Sequence, residues 1–568
     1  MTAVSSDLIA RAREWVEHDP DPATKQQVEQ LIAADDAVGL GEAFHGPLSF
    51  GTAGLRAEIG PGESRMNRAV VIRATAGLVA WLKTKVDNPV VVVGCDARYG
   101  SAEFQRDAAQ VIAGAGGTAL VLPAQNPTPL TAFTVKQQGA DAGIMVTASH
   151  NPPKDNGYKV YLGGRVATGP AEGVQLISPA DKEIAEAIEA APAADEVLMA
   201  SKETDHIRAI DPRDDYAARA VALAGERTEQ NGEQDAKKNG DVRIALTAMH
   251  GVGAALGERI LTAAGFEVSL VPEQAQPDPD FPTVSFPNPE EPGALDLAKK
   301  HATEIGADVI IAYDPDADRC AVATPDDSAE GGWRQLTGDE TGALLGDYLA
   351  RRGATGVMAN SVVSSRLLSR VAEHHGLEHQ TTLTGFKWIA RTPQLCFGYE
   401  EAIGYCCDPE AVADKDGVGT SAVLASLVAD LKEESKTLDD ALDDLARQHG
   451  LYQTAPLTFR VTDLSLISEG MDKLRANPPE SLAGSPVTEV KDLATDPLGI
   501  GATDGMMFVT ADNDRVICRP SGTEPKLKCY LEVVLPVDGE GDRGAVPRDK
   551  ATQRLAQMSA ELKKFLGM

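Results

Sequence analysis

Three aspartates alternate along one short run, Asp314-Pro315-Asp316-Ala317-Asp318, and Arg319 closes it. Carboxylates at i, i+2 and i+4 of an extended segment project to one side and present hard oxygen ligands to a single divalent cation. Three like charges that close are costly without a counter-ion. An EF-hand loop also begins D-x-D-x-D, but its sixth position is glycine and its twelfth glutamate, where this chain has Arg319 and Pro325. The run suits a small magnesium site, in which a few carboxylates share the ion with a phosphoryl oxygen.

Other loops carry matching chemistry. Ala148-Ser149-His150-Asn151-Pro152-Pro153 follows an apolar run at 143–147. Groups just past the carboxyl end of a strand face the ligand crevice of an open α/β sheet, which places Ser149 where chemistry happens. A lone serine before proline more often just makes a turn, so the aspartate run is what lends Ser149 weight. Arg519-Pro520-Ser521-Gly522-Thr523-Glu524-Pro525-Lys526 offers a guanidinium fork, two hydroxyls, backbone N–H groups around Gly522 and a second cation, the parts of a phosphate clamp. Standing alone it would pass for a polar hairpin turn. In Phe397-Gly398-Tyr399-Glu400-Glu401-Ala402-Ile403-Gly404-Tyr405, paired carboxylates between glycines are acceptors for sugar hydroxyls.

Some patterns are decoys. Gly251-Val252-Gly253-Ala254-Ala255-Leu256-Gly257, with Glu273 beyond, approaches a dinucleotide fingerprint, but its third glycine is one residue late, and a loop packed beside the site is expected instead. No Gly-Lys dipeptide exists, which excludes a Walker A loop, and Ala148 and His150 replace the glycines of a hydrolase elbow.

The elements that must position these loops read as α/β. Short Val/Ile-rich runs at 90–95, 118–122, 143–147, 242–247, 266–271, 308–313, 356–359 and 379–383 alternate with helical patterns, as in parallel sheets covered by helices. At 568 residues the chain exceeds the roughly 250 to 300 residues of one core, so several domains are expected. A polar run at 226–240 reads as a surface insertion, and a charged helix at 433–450 as a connector, with Leu438, Ala441, Leu442 and Leu445 at helical spacing. Runs at 506–510, 516–519 and 526–534, with turns at Asn513 and Gly522, suggest antiparallel strands of a separate α+β domain. The first forty residues read as a polar helical extension.

Composition excludes several function classes. Fifty-three basic against eighty-five acidic side chains give a net charge of −32, which disfavours nucleic acid and anionic membranes as partners and is compatible with adaptation to salt. No apolar stretch approaches a membrane span, and Asp7, Arg11, Arg13 and Glu14 interrupt any secretory signal, so a cytoplasmic protein is expected. Seven scattered cysteines without a C-x-x-C read as buried thiols.

Taken together, TASHNP at 147–152, DPDADR at 314–319, GYEEAIG at 398–404 and RPSGTEP at 519–525 resemble, in order, the motifs of the α-D-phosphohexomutase superfamily. The resemblance runs from about Phe50 to the C-terminus. It implies three α/β domains with mixed, mainly parallel sheets and a C-terminal α+β domain around a central cleft. With the breaks above, it divides the chain into an extension at 1–40, a phosphoserine-loop domain at 41–212, a metal-loop domain at 213–328, a sugar-loop domain at 329–445 and a phosphate-loop domain at 446–568. Ser149 is implied as the phosphorylated residue and a metal ligand, with Asp314, Asp316 and Asp318 binding Mg²⁺ and Arg319 beside them. Glu400 resembles the sugar-loop glutamate, and Arg519, Ser521, Gly522, Thr523 and Lys526 the phosphate loop. Ala402 stands where many relatives have serine, which bears on sugar identity.

Phe50-Gly51-Thr52-Ala53-Gly54-Leu55-Arg56, Arg65-Met66-Asn67 and Thr384-Gly385-Phe386-Lys387-Trp388 resemble the longer branch with phosphoglucomutases and phosphopentomutases. Arg56, His150, Lys159 and Lys387 become site candidates by position, with the general base open between Lys159 and His150. The implied reaction interconverts aldose 1- and 6-phosphates, glucose first and mannose next, using Mg²⁺ and glucose 1,6-bisphosphate as activator. Alternatives are a phosphopentomutase and a non-catalytic sugar-phosphate-binding regulatory protein. The expected partner is a small phosphosugar, and the expected state a monomer or weak homodimer.

Overall fold

Val90–Cys95 reads VVVVGC, and every residue after Val90 is buried, as a strand covered on both faces requires. The computed structural model that shows this describes residues 4–51, 54–202, 204–225, 239, 241–521, 526–537 and 545–567. The expected insertion at 226–240 therefore lies outside the described residues except for Asn239, as do Thr52 and Ala53 of the early motif and Gly522 and Thr523 of the clamp. The chain forms two compact units, Met1–Leu336 with Gly404–Ala429, and Thr337–Ile403 with Asp430–Met568.

In the first unit, one sheet runs in the order Leu55–Glu58, Asp155–Leu162, Ala142–Val146, Val90–Cys95, Thr118–Val121 and Ile207–Ala209, with Val174–Gln175 beside Asp155–Leu162. Its centre is parallel and Asp155–Leu162 antiparallel. Helices Ser101–Gly114 and Thr128–Gln137 pack on Val90–Cys95. A second sheet orders Trp333–Gln335, Cys320–Pro325, Val309–Tyr313, Arg243–Thr247 and Glu267–Leu270, again parallel inside and antiparallel at one edge. The N-terminal extension is three helices, Ser6–His18, Pro22–Ala33 and Ala37–Ala43, closed on Ala12, Val28, Leu40, Ala43 and Phe44.

In the second unit, Glu378–Thr382, Val357–Ser361 and Leu395–Glu400 are parallel. A capping box between Thr337 and Glu340 starts helix Gly338–Arg351, fixing the position of Asp339. The last sheet is antiparallel, in the order Leu451–Arg460, Lys526–Leu535, Arg515–Pro520, Met506–Thr510, Ser485–Asp492 and Ser481–Leu482. Helices Ser465–Ala476 and Arg548–Leu566 accompany it and share its core. The fold class is therefore the expected one: three α/β layers with mixed sheets, then an α+β domain. The connector helix is Leu438–His449, with Leu438, Ala441, Leu442 and Leu445 buried as its spacing required.

Candidate active site

The strand before the serine ends at Val146 because Thr147 turns its hydroxyl back to accept the Ser149 N–H at 2.9 Å. Ser149 takes φ +50°, a left-handed conformation costly for a residue with Cβ that persists only where its surroundings enforce it. Arg98 does the enforcing: one terminal nitrogen donates to the Ser149 and Asn151 carbonyls at 2.6 Å each, the other to those of Pro152 at 2.7 Å and Asp155 at 3.1 Å. Arg56 adds a hydrogen bond to Asn151 Oδ1 at 3.0 Å. The serine loop is thus a fixed platform.

The aspartate loop leaves the second sheet's strand Val309–Tyr313 and meets that platform. Ser149 Oγ donates to Asp314 Oδ2 at 2.9 Å, and His150 Nδ1 lies 3.2 Å from the same hydroxyl. Thr128, the first residue of its helix, donates its hydroxyl to Asp316 Oδ2 at 2.6 Å and its N–H to the Asp316 carbonyl at 2.9 Å. Lys159 reaches from Asp155–Leu162 to Asp316 Oδ2 at 2.9 Å and Asp318 Oδ2 at 3.0 Å. Arg319 donates its N–H to Asp314 Oδ1 at 3.0 Å, and its guanidinium lies 3.8 Å from Asp318 Oδ1.

All three aspartates are buried, and one carboxylate oxygen of each lies within 4.8 Å of the others. Asp316 Oδ1 and Asp318 Oδ1 are buried without a hydrogen-bond partner among the described residues. Hard, orphaned, convergent oxygens are what a small divalent cation needs, so the donor set fits one. Burial, and then the charges of Asp316 and Asp318, push the Asp314 carboxyl well above its usual range. Burial acts on Asp316 too but is outweighed by Lys159 and hydrogen bonds, so that carboxyl is held down. Burial opposes the Lys159 ammonium, yet Asp316 and Asp318 prevail and keep it up. His150 is driven well below its ordinary value by burial and by the charges of Arg319 and Arg56.

The glycine-rich decoy is a packing device. A Cβ on Gly251 would stand 2.5 Å from the Pro315 backbone, and one on Gly253 2.7 Å from Ala317 Cβ, so those glycines let the loop after Arg243–Thr247 press against the aspartate run. The sequence reading missed Lys415, whose ammonium lies 3.2 Å from Asp318 Oδ2 and 3.5 Å from Asp414 Oδ1. Its only signal was the alternation Asp414-Lys415-Asp416. Arg98 and Thr128 were also missed: an arginine that grips backbone carbonyls leaves no motif.

The remaining candidates lie on the second unit. Lys387 is in the short helix Phe386–Ile389, and Glu400, buried, ends the strand Leu395–Glu400. Arg519 sits near the end of Arg515–Pro520, Lys526 starts Lys526–Leu535 and is buried, and the Ser521 N–H bonds the Lys526 carbonyl at 2.9 Å. Arg519 Nε is buried with no hydrogen-bond partner among the described residues, as suits a group kept for an anion.

Four family models match in succession: phosphoglucomutase/phosphomannomutase alpha/beta/alpha domain I over residues 47–194, domain II over 225–329, domain III over 337–449 and the C-terminal domain over 482–538. A Haemophilus influenzae protein named "Probable phosphomannomutase" is 42% identical over 499 residues, covering 87% of this chain and 98% of its own. Human phosphopentomutase is 35% identical over 581 residues, covering 93% and 92%. A Staphylococcus aureus phosphoglucomutase is 30% identical over 550 residues, covering 92% and 95%. Among solved structures, the open form of Paramecium parafusin, a phosphoglucomutase, shares the fold with TM-score 0.69 at 18% identity, over 93% of this chain and 97% of its own. With all four domain models matched in order and relatives of this identity along nearly its whole length, the chain belongs to the phosphoglucomutase/phosphomannomutase family.

Proposed function

We propose that this phosphosugar mutase interconverts aldohexose 1-phosphates and 6-phosphates, the glucose pair first and the mannose pair second, through a phosphorylated Ser149. The observation that carries the reading is the hydrogen bond between Ser149 Oγ and Asp314 Oδ2, which sets a nucleophilic hydroxyl against the carboxylate trio. Asp314, Asp316 and Asp318, with the Ser149 oxygen, would hold Mg²⁺, which would neutralise charge on the transferring phosphoryl group.

The chain's own groups do the remainder. The P–O bond of phospho-Ser149 breaks as one forms to the free sugar hydroxyl, giving a bisphosphorylated sugar; the hydroxyl's proton passes to a base, and Ser149 Oγ regains one. His150 Nδ1, at 3.2 Å from Oγ, is placed for that proton, whereas Lys159 is engaged by two carboxylates. The sugar turns over and its second phosphate returns to Ser149. Arg56, Arg98 and Arg319 are cations of the serine and aspartate loops. Glu400 accepts sugar hydroxyls, while Arg519, Ser521 and Lys526, with Lys387 and with Gly522 and Thr523 outside the described residues, supply donors for the idle phosphate. A sugar 1,6-bisphosphate serves as activator by rephosphorylating Ser149.

Ala402, which offers no hydroxyl, and the 34–35% identity to mammalian phosphopentomutases favour a second reading, pentose 1- and 5-phosphates. The test is relative kcat/KM for glucose, mannose and ribose 1-phosphates with Mg²⁺ and bisphosphate, alongside Ser149→Ala. Hexose turnover that the serine variant loses is expected. Full turnover by the variant overturns the phosphoserine route, and a pentose preference overturns the hexose assignment.

A further inference from the structure

A buried network of charged and polar groups in the second unit joins the sugar loop, through the turn at 362–365, to the strand that leads to Arg519. Its first node is Asp339, near the start of helix Gly338–Arg351. Asp339 Oδ1 accepts the Ser365 N–H at 2.6 Å and the hydroxyl of Tyr399, one residue before Glu400, at 3.0 Å; Oδ2 accepts the hydroxyl of Thr454, on the first strand of the last sheet, at 2.8 Å. The helix start also lies close to the sugar loop itself, for a Cβ on Gly338 would stand 1.9 Å from the Glu401 carbonyl oxygen.

The second node is Glu532, 1% exposed. It accepts the Ser365 hydroxyl and the Arg366 N–H at 2.8 Å each and pairs with the Arg366 guanidinium. Arg515 lies 3.5 Å from it and donates to the carbonyls of Val362 at 3.0 Å and Ser364. Ser364 Oγ in turn accepts the Glu401 N–H at 3.1 Å, and Glu401 Oε2 lies 3.2 Å from the hydroxyls of both Ser361 and Ser364. The turn at 362–365 is therefore bonded to the sugar loop on one side and to the last sheet on the other.

Strand register makes this consequential for the clamp. Arg515 pairs with Glu532, Ile517 with Tyr530 and Arg519 with Lys528, so alternate residues put the network and Arg519 on one face of the same two-stranded ribbon, about 13 Å apart. Ile517, between them, packs on Val362 and Val363. A buried ion network gives little net stability once desolvation is counted, and fixing one arrangement is its best-attested use.

We propose that Asp339, Glu532 and Arg515 are positioning residues that hold the sugar loop and the clamp strand as one body, so that recognition of the sugar and of the idle phosphate is set jointly. This rests on the reading of Glu400 and Arg519 as substrate contacts. The test is a double-mutant cycle with Asp339→Ala and Glu532→Gln, the two carboxylates that meet at Ser365, in the Mg²⁺-loaded enzyme. Each single variant is expected to raise KM about tenfold with kcat nearly kept, and the double variant hardly more than either, because both cut one unit. Effects that multiply, or KM values unchanged while only the melting temperature falls, overturn the proposal. If Glu532→Gln does not fold, Ser365→Ala, which removes one hydroxyl from the same carboxylate, takes its place in the cycle. Wild-type protein without mutase turnover would defeat the parent reading instead, and is scored before the cycle begins.

Discussion

At the residue scale, the site depends on how three buried carboxylates are neutralised. Lys159 holds one oxygen each of Asp316 and Asp318, leaving the orphaned Oδ1 atoms for a cation. Replacing Lys159 with methionine keeps the stem and removes the charge, and breaking such a buried pair from one side costs about 3–5 kcal/mol. Lys159→Met is therefore expected to melt well below wild type in EDTA and to regain much of that loss in millimolar Mg²⁺, since the ion replaces the missing charge. Thermal melts with and without metal decide it: a variant that melts like wild type in EDTA, or that ignores Mg²⁺, refutes the charge accounting. The aspartate trio was legible in the sequence because its geometry is local, three alternating residues on one segment. Lys159 came only by resemblance, and Lys415 and Arg98 not at all, because each joins the site through pairings between segments dozens to hundreds of residues apart.

At the element scale, strands were legible where the run is apolar throughout, as in Val90–Cys95, and blurred where polar residues and glycine break the run. Asp155–Leu162, which carries Lys159 and is buried after its first residue, did not stand out because Asn156, Gly157 and Lys159 interrupt its apolar run, and Arg548–Leu566 was not singled out because only a narrow stripe of it, Ala551, Leu555, Met558, Leu562 and Leu566, is buried. Helix Gly338–Arg351 adds a titration of its own. Burial first, then the charges of Glu401 and Glu532, work against hydrogen bonds from Ser365 and Thr454 and push Asp339 up to about 7, while Arg366 and Arg515 are engaged by Glu532. An unfolded aspartate titrates near ~3.9, so between the two values the folded protein keeps a proton that the unfolded chain has released. The stability this contributes is complete below about pH 4 and is lost at about 1.4 kcal/mol per unit as pH rises toward 7. Asp339→Asn keeps the shape and has no such proton, so its stability relative to wild type should climb from pH 5 to pH 7.5. Urea unfolding across that range measures it, and a constant difference would mean that Asp339 is ionised throughout.

At the scale of the whole molecule, a net charge of −32 sets two salt responses against each other. Excess like charge destabilises the compact chain through self-repulsion, and that repulsion is long-ranged at low ionic strength, where the screening length is about 30 Å at 0.01 M against about 3 Å at 1 M. Raising KCl across that range should therefore raise the melting temperature. Chloride rather than sulfate is the right salt, because sulfate strengthens burial in any protein by exclusion from its surface. The phosphosugar answers in the opposite sense: it is an anion drawn to arginines and lysines inside an acidic protein, and screening weakens that attraction, so KM should rise over the same titration. A melting temperature that stays flat or falls would show that the acidic side chains are already compensated by their neighbours, as Arg219 compensates Asp408 and Glu410, and that the acidity is not an adaptation to salt. A KM that stays flat while the melting temperature rises would place the substrate's recognition in short hydrogen bonds from groups such as Arg519, which ionic strength hardly reaches, rather than in the field of the site.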